Sequence, residues 1–143
     1  MAQLPPSQSI DDDYTFRLLG ILTAAGRETA EGWSEIGLLI NFDFNTRELR
    51  TFSNVVWRGQ HYDSWVSEVQ QNELITTAFG WLQALYDAGH PLWTSMFLGI
   101  NSDKHFLWEP SYEADFGPWR VDLEGDNWPT VAAGLRKMGV DTQ

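Results

Sequence analysis

The side chains able to do acid–base, nucleophilic or metal chemistry are few in this chain and scattered. The three histidines, His61, His90 and His105, are far apart in sequence. His61-Tyr62-Asp63 has the residue types of a base or a metal ligand set, but a polar loop accounts for the same residues. His90 stands between Gly89 and Pro91, where a helix should stop, and His105 follows Lys104 at the start of a strand. The absence of cysteine removes thiolate nucleophiles, redox pairs and cysteine-based zinc sites. Asp11, Asp12 and Asp13 are consecutive in a helical pattern, so their carboxylates point apart rather than converge on a cation. Asp43-x-Asn45 opens like a calcium loop, yet Arg47 falls where a ligand belongs and Glu48 where the glycine belongs. No G-x-G-x-x-G, P-loop, G-x-S-x-G or H-E-x-x-H pattern is present. Glu109, Glu113 and Asp115 offer carboxylates for a glycosidase-like pair, but a solvated acidic loop explains them without one. The expectation is a protein that is not an enzyme and needs no metal or cofactor.

The chemistry that remains is that of recognition. From Glu109 to Asp126 there are six acids (Glu109, Glu113, Asp115, Asp122, Glu124 and Asp126) against one base, Arg120. Trp119 and Tyr112 lie within this stretch and Trp108 and Trp128 flank it, three of the eight tryptophans in all. Carboxylates crowded together repel one another, and a partner's Lys and Arg would relieve that repulsion. Trp108, Tyr112 and Trp119 are therefore candidate anchors, and Glu109, Glu113, Asp115, Asp122 and Glu124 candidate pairing carboxylates. Across the chain 20 acids oppose 9 bases, a formal charge of -11. That balance argues against direct nucleic-acid binding, which depends on Lys and Arg, and against anionic membrane surfaces. It favours fast encounter with a basic protein.

These residues must be positioned by a fold, and at 143 residues a single domain spanning 1–143 is expected, with 1–8 flexible. The first residues, MAQLPPSQSIDDD, have neither the basic residue nor the apolar run of a secretory signal. No run approaches the ~20 apolar residues of a membrane helix, so a cytoplasmic protein is expected. Ser9 can cap a helix from Ile10 to Gly26, with Ile10, Tyr14, Leu18, Ile21, Leu22 and Ala25 on one face. Ile36, Leu38, Ile40, Phe42 and Phe44 alternate as in a half-buried strand, Asn45 to Glu48 turn, and Leu49 to Trp57 returns. Arg58 to Ser64 reads as a polar loop. Leu74, Ala78, Trp81, Leu82 and Leu85 form a second helical stripe ended by Gly89 and Pro91. A second hairpin follows, LWTSMFLGI and HFLWE about the turn Asn101 to Lys104, and a last helix starts at Asn127 with Pro129 in its first turn. Residues 33–41 echo 93–101, from Trp33 against Trp93 to Asn41 against Asn101. The fold class expected is α+β: an antiparallel sheet of two hairpins, helices mainly on one face, in the order α-β-β-α-β-β-α. With Ile36, Leu38, Ile40, Met96, Leu98 and Ile100 facing the helices, Trp33, Leu39, Trp93 and Phe97 should lie on the other face. Trp93 and Phe97 are thereby further candidate anchors.

Pro91, Trp93 and Thr94, the Asn101-Ser102-Asp103-Lys104 turn with Phe106, and Tyr112-Glu113 with Asp115 resemble the YezG-like antitoxin family. The order of elements is similar over residues 10 to 120, and likeness at the residue level is confined to about 91 to 115. The resemblance implies an immunity protein that sits on a bacterial toxin domain, typically a nuclease, and blocks it. Nuclease domains are basic because they hold phosphates, so the acidic balance is of the right sign for such a partner. Two other classes fit the composition: an acidic adaptor or chaperone escorting a secreted effector, and a small ligand-binding α+β domain with a pocket between helices and sheet.

Overall fold

A computed structural model of the chain describes residues 8–29, 33–43, 46–57, 61–64, 67–122 and 127–139. Helix α1 covers Gln8–Thr29 and α2 covers Glu68–Asp87. Both carry their apolar residues at 3.6 spacing: Leu18, Leu22 and Ala25 in α1, and Leu74, Ala78, Trp81, Leu82 and Leu85 in α2, are buried. Helix α1 begins before Ser9 and runs through Gly26, so neither signal read as its boundary acts as one. A glycine costs a helix only about 1 kcal/mol, less than the burial of one apolar side chain restores. Helix α2 is capped at Ser67, whose hydroxyl accepts the backbone N–H of Gln70 at 3.2 Å. Gly89, at φ 76°, turns the chain out of it.

Strands β1 (Glu35–Asp43), β2 (Glu48–Trp57), β3 (His61–Ser64), β4 (Ser95–Asn101) and β5 (Phe106–Ser111) make one sheet in the order β3-β2-β1-β4-β5. Every pairing is antiparallel. The architecture is the expected α+β order with one addition. Residues 61–64, read from sequence as part of a polar loop, add a four-residue edge strand to β2. Four residues are too few for an alternation to declare itself, and the pairing comes from the neighbour rather than from the segment.

The two echoing segments are neighbours at the centre of the sheet. In β1 and β4, Leu38 faces Leu98, Ile36 faces Ile100 and Ile40 faces Met96. Leu38 and Leu98 are also counterparts in the echo, so the β1–β2 and β4–β5 hairpins are arranged about a local two-fold axis at that pair.

One face of the sheet carries Ile36, Leu38, Ile40, Met96, Leu98 and Ile100 against α1 and α2. The other face is covered too. Leu39 and Phe97 lie under Trp119, Val121 and the Val131 and Leu135 of a short helix α3 (Trp128–Lys137). The Phe97 ring fills a slot left by three glycines. A Cβ added at Gly134 of α3 would come within 2.3 Å of it, at Gly99 within 2.9 Å and at Gly37 within 3.1 Å.

This corrects the open aromatic face expected from alternation. Phe97 does point away from α1 and α2, but α3 closes over it. Trp93 does not share its face: it precedes β4, where the period of two is not yet in force, and it packs with Trp81 on the α1–α2 side at 5.4 Å between centroids. Trp33, also ahead of its strand, is half-buried against the same cluster.

Candidate partner-binding surface

The acidic stretch is a strap laid over the α3 side of the sheet and tied down by polar side chains of the strands beneath it. The Thr94 hydroxyl donates to the carbonyls of Ser111 (3.2 Å) and Glu113 (2.5 Å). The Ser95 hydroxyl donates to the Phe116 carbonyl at 2.5 Å. Asn41 holds the next stretch from both sides: its Nδ2 donates to the Trp119 carbonyl (2.7 Å) and its Oδ1 accepts from the Val121 N–H (2.6 Å). Phe116 and Gly117 both have positive φ, 72° and 55°, and turn the strap sharply into a 3-10 turn, Gly117–Trp119. Beyond it, Asn127 and Asp122 exchange side chain-to-backbone bonds at 2.7 and 2.8 Å.

This anchoring decides which predicted residues reach the surface. Trp119 is 2% exposed, its ring 5.3 Å from that of Phe97, so it belongs to the core. Trp93 and Phe97 are buried as well, and none of the three can anchor a partner on this surface. Trp108 is half-buried: its ring lies 5.2 Å from Trp81, and its Nε1 donates to the Met96 sulfur at 2.9 Å. Strand alternation puts it on the α1–α2 side, opposite Leu98. Tyr112 is the aromatic that the strap displays, 52% exposed.

The carboxylates divide in the same way. Glu109 pairs with Lys137 of α3 at 2.5 Å, and that ammonium also lies 5.4 Å from the centre of the Trp119 ring. Asp115 accepts the Gly117 N–H at 3.1 Å, and Glu113 bonds to the Ser111 hydroxyl at 3.4 Å. Part of the acid content is thus structural, and its repulsion is relieved in part within the chain rather than by a partner alone. Glu113, Asp115 and Asp122 nevertheless remain exposed. Neither Glu113 nor Asp115 has a basic partner among the described residues. Glu124 and Asp126 lie outside the described residues.

One residue of this neighbourhood was read in the sequence only as one of three diverging carboxylates. Asp11 is 8% exposed, and its Oδ1 accepts the Trp81 Nε1–H at 2.8 Å. Burial pushes its carboxyl above the usual carboxylate range, the Trp81 bond pulls it back, Asp12 adds to the rise and His90 opposes it. The Tyr112 hydroxyl is pushed up by its own burial and by the nearby Asp11. The first turn of α1 and the strap therefore form one electrostatic neighbourhood. The signal was available: Asp11, Thr15, Leu18 and Leu22 fall at helical spacing on the stripe that carries the core. Next to this cluster, His90 Nε2 and Trp93 Nε1 are buried with no hydrogen-bond partner among the described residues.

Among the described residues no three His, Cys, Asp or Glu side chains gather as metal ligands, and no helix is long and apolar enough to cross a membrane. The side chains of His61, Tyr62 and Asp63 lie outside the description. No family model matches the chain, and no curated protein matches it in sequence.

Proposed function

We propose that this protein is an immunity protein: it binds a basic bacterial toxin domain, a nuclease, and blocks it in the cytoplasm of the cell that makes it. The observation that carries the reading is Tyr112, an aromatic ring half in water beside Glu113 and Asp115, two carboxylates with no basic partner among the described residues. An aromatic ring that is amphipathic and restricted to two side-chain torsions loses little entropy on binding. Carboxylates around it steer a basic partner and select its orientation. Lys and Arg on a phosphate-binding surface are the complement, and covering them is inhibition by occupancy. The buried Trp119, Trp93 and Phe97 play no part in this contact; they shape the support on which Tyr112 stands.

The test is co-expression of a candidate toxin, the product of the adjacent gene, scored for host survival, with nuclease activity of the purified pair as second readout. Protection with loss of nuclease activity supports immunity. A stable complex in which the nuclease stays active would instead make this an escorting adaptor, and no complex would remove both readings. Tyr112→Ala should weaken the complex by about 2 kcal/mol, roughly thirtyfold, the loss typical of an aromatic hot spot. The variant should melt where wild type does, because the ring is not part of the core.

A further inference from the structure

On the opposite face, a second feature is unrelated to the acidic strap. Between α1 and the β4–β5 hairpin runs a groove of about 430 Å³. Leu19 and Ile100 line its base. Phe16 and Phe106, 60% and 44% exposed, meet edge to face at 5.6 Å along it. Two of the six large apolar side chains left in water among the described residues are thus spent on one concavity. Gly20 forms part of the α1 wall, and a Cβ added there would meet nothing within 4 Å. The space beside the helix is therefore empty rather than filled by a neighbouring side chain.

Lys104 stands at the mouth, in the left-handed region at φ 67°. In a chain of 20 acids and 9 bases it has no carboxylate within ion-pair distance among the described residues, Asp103 beside it included. Arg17, one residue after Phe16, is already neutralised by Asp13 at 2.8 Å. The same combination recurs across the local two-fold. A smaller groove of about 220 Å³ is lined by Phe79 and Tyr86 of α2, with Arg47 of the β1–β2 turn at φ 57°. In each case the helix of one half meets the hairpin turn of the other.

We propose that the α1 groove binds a small amphipathic carboxylate: a hydrocarbon body lying between Phe16 and Phe106, and one anionic head on Lys104. Its volume falls within the range of small-molecule sites, ~300–1,000 Å³, which are mostly apolar with a few placed polar groups. A protein partner would need about 800 Å² on each side, more than one such groove offers. One unpaired cation calls for one anion. The medium-chain fatty acids have this chemistry.

The test uses the full chain and decanoate, titrated below the concentration at which it forms micelles and followed by calorimetry and amide chemical shifts. Wild type should bind decanoate saturably and decanol about tenfold more weakly. Lys104→Gln should weaken decanoate about tenfold and leave decanol unchanged. Gly20→Leu, which places a side chain in the empty space, should abolish binding of both while the helix and the melting transition persist. Arg47→Gln, at the other groove, should leave decanoate binding as it was. The proposal fails if decanoate does not saturate, if decanol binds as well as decanoate, or if binding survives in Gly20→Leu. It also fails if wild type is dimeric in sedimentation and Gly20→Leu is monomeric, since the groove would then belong to a second copy. None of these readouts involves the acidic strap, so the immunity reading stands or falls separately.

Discussion

A carboxylate that folding makes harder to ionise carries a pH signature. Asp11 is held above the usual carboxylate range chiefly by burial. The folded state therefore binds this proton more tightly than the unfolded chain does. Stability from this group is fully present below the unfolded carboxylate pKa and is lost as pH rises through the raised folded value. Asp11→Asn keeps an oxygen acceptor for Trp81 Nε1 and removes the buried charge. The variant should be more stable than wild type at pH 7 in urea unfolding. The gap should close as pH is lowered below the carboxylate range, and a gap independent of pH would mean that the carboxyl ionises freely in the folded protein. The same neighbourhood reaches the proposed binding surface, because Asp11 is one of the two causes that raise Tyr112.

Among the elements, the fit of α3 on the sheet depends on how closely Gly134 approaches Phe97. A methyl there would lie 2.3 Å from the ring. Gly134→Ala should destabilise the protein by roughly 1–3 kcal/mol of overpacking, against a gain of about 1 kcal/mol in helix propensity. Urea midpoints measure the net loss, and Phe97→Leu in the same chain should recover part of it. The strap answers to Asn41 instead. Asn41→Ala leaves the Trp119 carbonyl and the Val121 N–H without their partner, about 1–3 kcal/mol for each group left unsatisfied. Affinity for the partner should fall with it, because Tyr112 is displayed by that same strap. The hairpins and α2 were legible in the sequence, since strand alternation, the Leu74-to-Leu85 stripe and the Gly89 stop are local signals. The ends of α1 and strand β3 were not: the first are overridden by packing, and the second exists only through its pairing with β2.

For the molecule as a whole, the proposed function assigns charge to encounter more than to affinity. With a formal charge of -11, association with a basic domain should slow steeply as salt is added, because the Debye length falls from about 10 Å at 0.1 M to 3 Å at 1 M. Stopped-flow rates over that range measure the slope. Glu113→Lys with Asp115→Lys should lower the rate at low salt and flatten the series, leaving the dissociation rate nearly unchanged. A flat series for wild type would assign the charge to solubility alone.

By itself the sequence determined the three helices and four of the five strands, the antiparallel pairing of those four into hairpins, and the parity that sends Leu38 and Leu98 one way and Leu39 and Phe97 the other. Parity says that a residue leaves one face of a sheet; it does not say what waits on the other. That was decided by a return of the chain over long separations. Asn41 meets the Trp119 carbonyl 78 residues away, and Trp81 meets Asp11 at a separation of 70. Those contacts put Trp119 and Phe97 indoors, kept Tyr112 in water and buried a carboxylate beside it. Periodicity is a property of a segment, whereas burial is a property of whatever comes to lie on top of it.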